Sequence, residues 1–212
     1  MQSDPDTLAQ YLRDHARCLG NSEQFWLGIA GAPGSGKSTM SAALLERLGP
    51  LAIVIPMDGY HYYRRELDRM SDPEEAHRRR GAPFTFNAEK FVRDVAAARL
   101  SGRGLFPSFD HGVGDPVEGE ICLTPGHKVV IVEGNYVLLD DPPWSQLRRE
   151  FDESWFLDVD VEVCKERVRK RFVETGRDEQ TARFRVTYND GPNAELVARI
   201  SPQNADRILR PL

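Results

Sequence analysis

Gly31-Ala32-Pro33-Gly34-Ser35-Gly36-Lys37-Ser38-Thr39 is a complete G-x-x-x-x-G-K-[ST] loop, and it follows directly on the apolar run Phe25 to Ala30. The run has the length and continuous apolarity of a buried strand. Lys37 to Leu48 behind the loop carries helical spacing. A nucleoside triphosphate needs backbone N–H groups aimed inward around its phosphates, and glycine lets the chain wrap that closely without a Cβ clash. The motif therefore predicts that residues 31 to 39 cradle phosphates. Lys37 is expected on the β- and γ-phosphates and the Ser38 hydroxyl on Mg²⁺. The competing reading is a glycine-rich turn that merely contains Lys-Ser. The strand before it and the helix after it favour nucleotide binding.

Outward from the loop, the remaining apolar runs extend the same pattern. Leu51 to Met57 is strand-like and ends at Asp58-Gly59, Lys128 to Val132 ends at Glu133, and Ser154 to Asp158 is short and aromatic. Helical spacing marks Pro5 to Cys18, Ala88 to Leu100 behind an Asn87 N-cap, and the basic stretch Val161 to Val186. Gly102 to Gly126 suits two short antiparallel strands, near Leu105 to Phe109 and Val117 to Leu123, and Ala205 to Leu209 a last edge strand. Buried strands separated by helices imply an α/β fold, a parallel sheet covered on both faces. Ligands in such folds sit at the carboxyl ends of the strands, so the residue that closes each run carries the information.

By that rule Asp58 and Glu133 both emerge beside the phosphate loop. A carboxylate at 58 can orient an attacking hydroxyl and take its proton; an Asp-Gly turn closing a strand is the plain alternative. Glu133, behind four apolar residues, suits the Mg²⁺ shell rather than a solvated strand end. Between Lys165 and Arg185 there are eight Lys or Arg against four Asp or Glu. Arg167 and Arg171, four apart, share a helical face and could close over a triphosphate, with a helix break at Gly176-Arg177; a solvated basic face is the competing view. Tyr60, His61, Phe86, Asp110 and His111 fall in predicted loops and could line an acceptor pocket, or simply anchor those loops.

Composition limits the alternatives. A chain of 212 residues fits one domain spanning 1–212, and a formal net charge of −5 offers no basic field for nucleic acid. Three scattered cysteines and no histidine spacing suited to metal predict reduced thiols and no zinc site. The acidic N-terminus and the lack of a membrane-length apolar run lead us to expect a cytoplasmic protein without membrane partners.

Taken in order, the motifs resemble the uridine kinase, phosphoribulokinase and bacterial-type pantothenate kinase group of P-loop metabolite kinases, and within it the pantothenate kinase-like, fructose-transport-kinase-like branch. The series is Gly31 to Ser38, Met57-Asp58-Gly59-Tyr60-His61, and Arg80-Gly81-Ala82-Pro83-Phe84-Thr85-Phe86-Asn87. It continues with Pro107-Ser108-Phe109-Asp110-His111, Asp115-Pro116-Val117, Val132-Glu133-Gly134-Asn135-Tyr136 and Asp190-Gly191-Pro192-Asn193. The resemblance implies an NMP-kinase-like P-loop NTPase fold with an Arg-rich helical lid near 165–187, ATP-Mg²⁺ as donor, and often a homodimer. It implies Asp58 as base or acceptor ligand, Glu133 in the metal shell, and Arg167 and Arg171 on phosphate. The Pro202 to Asp206 loop, with Asn204, would border the adenine. Where relatives commonly carry an acid after Thr-Phe, this chain has Asn87, which cannot hold a charge. The expected activity is γ-phosphoryl transfer to a hydroxyl of a nucleoside, sugar or vitamin-like metabolite. The alternative is a regulatory P-loop NTPase acting through a protein partner, although no asparagine begins the Asn-Lys-x-Asp pattern of a guanine switch.

Overall fold

The computed structural model describes residues 4–20, 22–110 and 112–210. In chain order the elements are α1 (Pro5–Arg17), β1 (Phe25–Gly31), α2 (Lys37–Leu48), β2 (Ala52–Pro56), α3 (Arg64–Leu67), α4 (Pro73–Arg78) and α5 (Ala88–Ser101). They continue with β3 (Gly104–Asp110), β4 (Asp115–Leu123), β5 (Val129–Gly134), β6 (Glu153–Leu157), α6 (Val161–Glu174), α7 (Glu179–Arg185), α8 (Gly191–Ile200) and β7 (Arg207–Leu209). Five strands form one parallel sheet in the order β2-β5-β1-β6-β7, while β3 and β4 pair separately as an antiparallel hairpin.

Strand periodicity divides the core in two. Phe25, Leu27, Ile29, Val129, Ile131 and Trp155 face α1 and α2 and pack with Leu8, Leu12 and Leu44. Their neighbours Trp26, Ala30, Val130, Val132 and Phe156 face the other way, onto Phe91 and Val95 of α5 and Val197 of α8. A strand covered on both faces has no polar side, which is why these runs read as continuously apolar.

Asn87 caps α5 as expected, its side chain accepting from the Lys90 backbone N–H. Two local features add detail to the expected elements. Asp58 lies in a 3₁₀ turn, Met57–Tyr60, rather than an open Asp-Gly turn; a Cβ on Gly59 would lie 2.1 Å from the Pro107 carbonyl, so glycine here admits the β3 strand. The basic stretch is two helices, as the Gly176-Arg177 pair predicts. It breaks at Gly176 (φ 91°) between α6 and α7, then passes through a π-helical turn, Val186–Asp190, in which the Gly191 N–H reaches back to the Val186 carbonyl. Pro192 has no N–H to continue an α ladder at the next position, which accounts for the widened turn.

Candidate active site: a phosphate loop between two cavities

The tips of β1, β5 and β2 deliver the loop, Glu133 and Asp58 to one end of the sheet. Gly34 and Gly36 take φ values of 84° and 91°, and a Cβ on Gly34 would lie 2.4 Å from the Cys164 carbonyl of α6. Glycine is therefore dictated at 34 both by backbone conformation and by contact with the lid. The Ser38 hydroxyl donates to the Glu133 carboxylate, at 3.2 Å to Oε1 and 3.3 Å to Oε2. Glu133 is buried, and burial raises its pKa above the usual carboxylate range, with the Asp58 charge acting in the same sense and Lys37 and Ser38 opposing. Two carboxylates and a hydroxyl beside Lys37 make an oxygen-rich corner, the donor set a hard divalent cation takes. Among the described residues no group of three or more His, Cys, Asp or Glu side chains is placed to hold a metal, so such an ion would draw its other oxygens from phosphates and water.

Two cavities open from the loop. One, of about 510 Å³, runs along Gly34 to Met40 to Leu157 of β6 and to Arg167, Val168 and Arg171 of α6. The other, of about 550 Å³, is lined by Asp58, His61, Phe86, Asn135 and Asp190 and by five arginines, 64, 80, 171, 177 and 185. Gly34, Lys37, Ser38 and Arg171 line both. A group bound in one cavity therefore meets a group bound in the other at Lys37 and Arg171.

Arg167 donates to the Gly34 carbonyl at 3.4 Å, so it and Arg171 reach the loop as the four-residue spacing predicts. The outer lid face is indeed a solvated, paired surface: Arg169 bonds Glu166 at 2.7 Å and Glu179 at 2.5 Å, and Lys165 bonds Glu162 and Glu195. The cations of α6 thus divide between a face on the phosphate loop and an opposite face of ion pairs.

His61 and Phe86 are brought together, their rings 3.9 Å apart, with Phe109 4.8 Å from His61. Three other expectations are corrected. Tyr60 is buried in the core, its hydroxyl donating to Asp94 at 3.0 Å and its ring against Phe91, so it does not face the cavity. Asp110 folds back to accept from the Gly112 and Val113 backbone, and does not line it either. Asn204 donates its amide to the Leu138 carbonyl at 3.0 Å and lines neither cavity. His111 lies outside the described residues.

Arg64, next to the Tyr60-His61 cluster, lines the second cavity too, and so do Arg80, Arg177, Arg185, Asn135 and Asp190, to which the sequence reading assigns no site role. The signal that could have found them is the Arg80-Gly81 pair. The Arg80 carbonyl is held by Arg185 at 3.1 Å and Asn189 at 2.9 Å, and the Gly81 carbonyl by Tyr136 and Asn193, so this motif is the strap onto which the lid docks.

This fold and this loop define a P-loop kinase class of protein. The sequence profile of the phosphoribulokinase / uridine kinase family matches residues 26–206. A Schizosaccharomyces pombe protein provisionally named a uridine kinase is 41% identical over 190 residues, spanning 85% of this chain and 81% of its own. A Silicibacter protein of known structure, provisionally named a fructose transport system kinase, is 33% identical and superimposes with a TM-score of 0.82 over 95% of this chain and 98% of that one. The Saccharomyces cerevisiae protein YFH7 shares the fold, with a TM-score of 0.82 at 20% identity over 98% of each chain. The chain belongs to the phosphoribulokinase / uridine kinase family and is an ATP-dependent P-loop kinase of that type.

Proposed function

We propose that the protein transfers the γ-phosphoryl group of ATP to a hydroxyl of a small metabolite. The observation that carries this reading is the junction of the two cavities at Lys37, Ser38 and Arg171, with Asp58 lining the second. A donor in the first cavity directs its terminal phosphate towards the second, where an alcohol rests against Asp58. Asp58 accepts the hydroxyl proton as the oxygen attacks phosphorus and the bond to the β-γ bridging oxygen breaks, releasing ADP. Lys37, Arg167 and Arg171 neutralise charge on the transferred group, and the closed lid excludes water. Ser38 and Glu133 fit Mg²⁺, which when bound neutralises the phosphate oxygens.

An ATP-consumption screen over sugars, sugar acids, nucleosides, glycerate and pantothenate tests this. One acceptor class should raise turnover well above background. Asp58→Asn should remove the gain by on the order of 100-fold or more while ATP binding persists, and Lys37→Ala should abolish turnover. Steady ATP hydrolysis indifferent to every acceptor would instead indicate a regulatory NTPase.

A further inference from the structure

The second cavity has a charge pattern that a neutral acceptor leaves unexplained. Its lining carries five guanidinium groups and Lys37 against only two carboxylates, Asp58 and Asp190. Lys37 and Arg171 are shared with the donor cavity, and Arg80 is paired with Asp115 at 2.9 Å. The remaining arginines, 64, 177 and 185, make no ion pair within 4 Å among the described residues. Arg185 instead donates to the Arg78 and Arg80 backbone carbonyls, and both it and Arg177 lie over the Phe172 ring, at 5.9 and 5.4 Å. Burial, together with the like charges of Arg177 and Arg80, lowers the Arg185 pKa, while Asp190 opposes the shift. The cluster is thus held together against its own repulsion by ring faces and neutral carbonyls.

A second pattern sits in the same cavity. The Oδ2 of Asp190, on the π-helical turn, and the Oδ1 of Asn135 are shut from solvent and accept no hydrogen bond among the described residues. The Nε of Arg80 is likewise buried and without a partner. Buried acceptors without donors cost about 1–3 kcal/mol each, and because both residues line the cavity, rotation of either side chain would present its oxygen to a ligand hydroxyl.

We propose that the acceptor is a polyhydroxylated organic anion, its phosphate or carboxylate held by Arg177 and Arg185 and its hydroxyls by Asp58, Asn135 and Asp190. The inference rests on the kinase reading above and narrows the substrate class of the same site. A nucleoside supplies hydroxyls but leaves the guanidinium cluster uncompensated. An anionic sugar derivative answers both.

The test is a binding measurement, so that its outcome is separable from that of the turnover screen. Protein saturated with Mg²⁺ and a non-hydrolysable ATP analogue, itself verified by its thermal shift, is titrated with matched pairs. These are glycerol against glycerate and glycerol 3-phosphate, and ribose against ribose 5-phosphate. The anionic member of at least one pair should bind about tenfold or more tightly than its neutral partner. Comparison of glycerate with glycerol 3-phosphate separates carboxylate from phosphate. Arg177 is exposed, so Arg177→Gln should fold; it should erase most of the preference, and Arg177→Lys should restore part of it. Equal behaviour within every pair, including no response from any, overturns the anionic acceptor while a persisting analogue shift leaves the donor site standing. Anion binding that vanishes once the analogue is present also overturns it, because the anion then occupies the phosphate loop.

Discussion

Glu133 sits where its own charge is costly. Its carboxyl is buried beside Asp58, and its pKa lies above the ordinary 4.5 because burial and that neighbour both penalise ionisation. A raised carboxyl pKa means the native state holds the proton more firmly than the unfolded chain does, so stability falls as pH rises from about 4.5 through the raised value. Glu133→Gln removes the charge while leaving an oxygen to accept from Ser38. The nucleotide-free variant should therefore melt higher than the parent near pH 8, with the difference closing towards pH 4.5, while Mg²⁺-dependent phosphoryl transfer drops by on the order of 100-fold. Melting curves at the two pH values, paired with ATP consumption, check both halves. A variant less stable than the parent near pH 8 would show that the charge is well satisfied without a cation. The residue was legible in sequence because a carboxylate closing four apolar residues has few structural uses. Asp190 was not, because its burial depends on a π-helical turn that leaves no periodic signature.

At the scale of elements, α5 and the lid show how one segment serves two ends. The Asn87 side chain is engaged as the α5 N-cap, accepting from Lys90, and it does not line the second cavity. Asn87→Ala should accordingly cost about 0.5–2 kcal/mol in urea unfolding with acceptor KM altered by less than about twofold. Asn87→Asp should keep stability, since Asp caps as well as Asn and its charge suits a helix N-terminus. A tenfold acceptor-KM change in Asn87→Asp would place this residue on the substrate after all. The lid was read correctly as basic and broken at Gly176, since helical spacing and a glycine are local signals. What the spacing could not say is that Arg177 and Arg185, beyond the break, face inward as well. The division of the cations follows from Glu162, Glu166, Glu179 and Glu195 taking Lys165, Arg169 and Arg183 on the outside, and it leaves 167, 171, 177 and 185 to the cavities.

For the molecule as a whole, the strand order puts β1 at the centre with β5 and β6 beside it, so the phosphate loop grows from a central strand buried along its whole length. Two glycines on this path separate support from function. Gly28 lies within β1, and a Cβ there would sit 2.6 Å from the Phe151 ring, whereas Gly34 lies in the loop at φ 84° against the Cys164 carbonyl. Gly28→Ala overpacks the core, and should lower stability by about 1–3 kcal/mol in urea while ATP affinity, measured well below the melting transition, moves by less than about threefold. Gly34→Ala forces a left-handed alanine against main chain of α6, so loop and lid must separate, and ATP affinity should fall by about tenfold or more with a smaller loss of stability. Unfolding curves and equilibrium titration with an ATP analogue, run on both variants, decide between the roles. If the two variants lost affinity equally, the loop would be no more than an extension of the core, and the separation of scaffold from site at the end of β1 would be wrong.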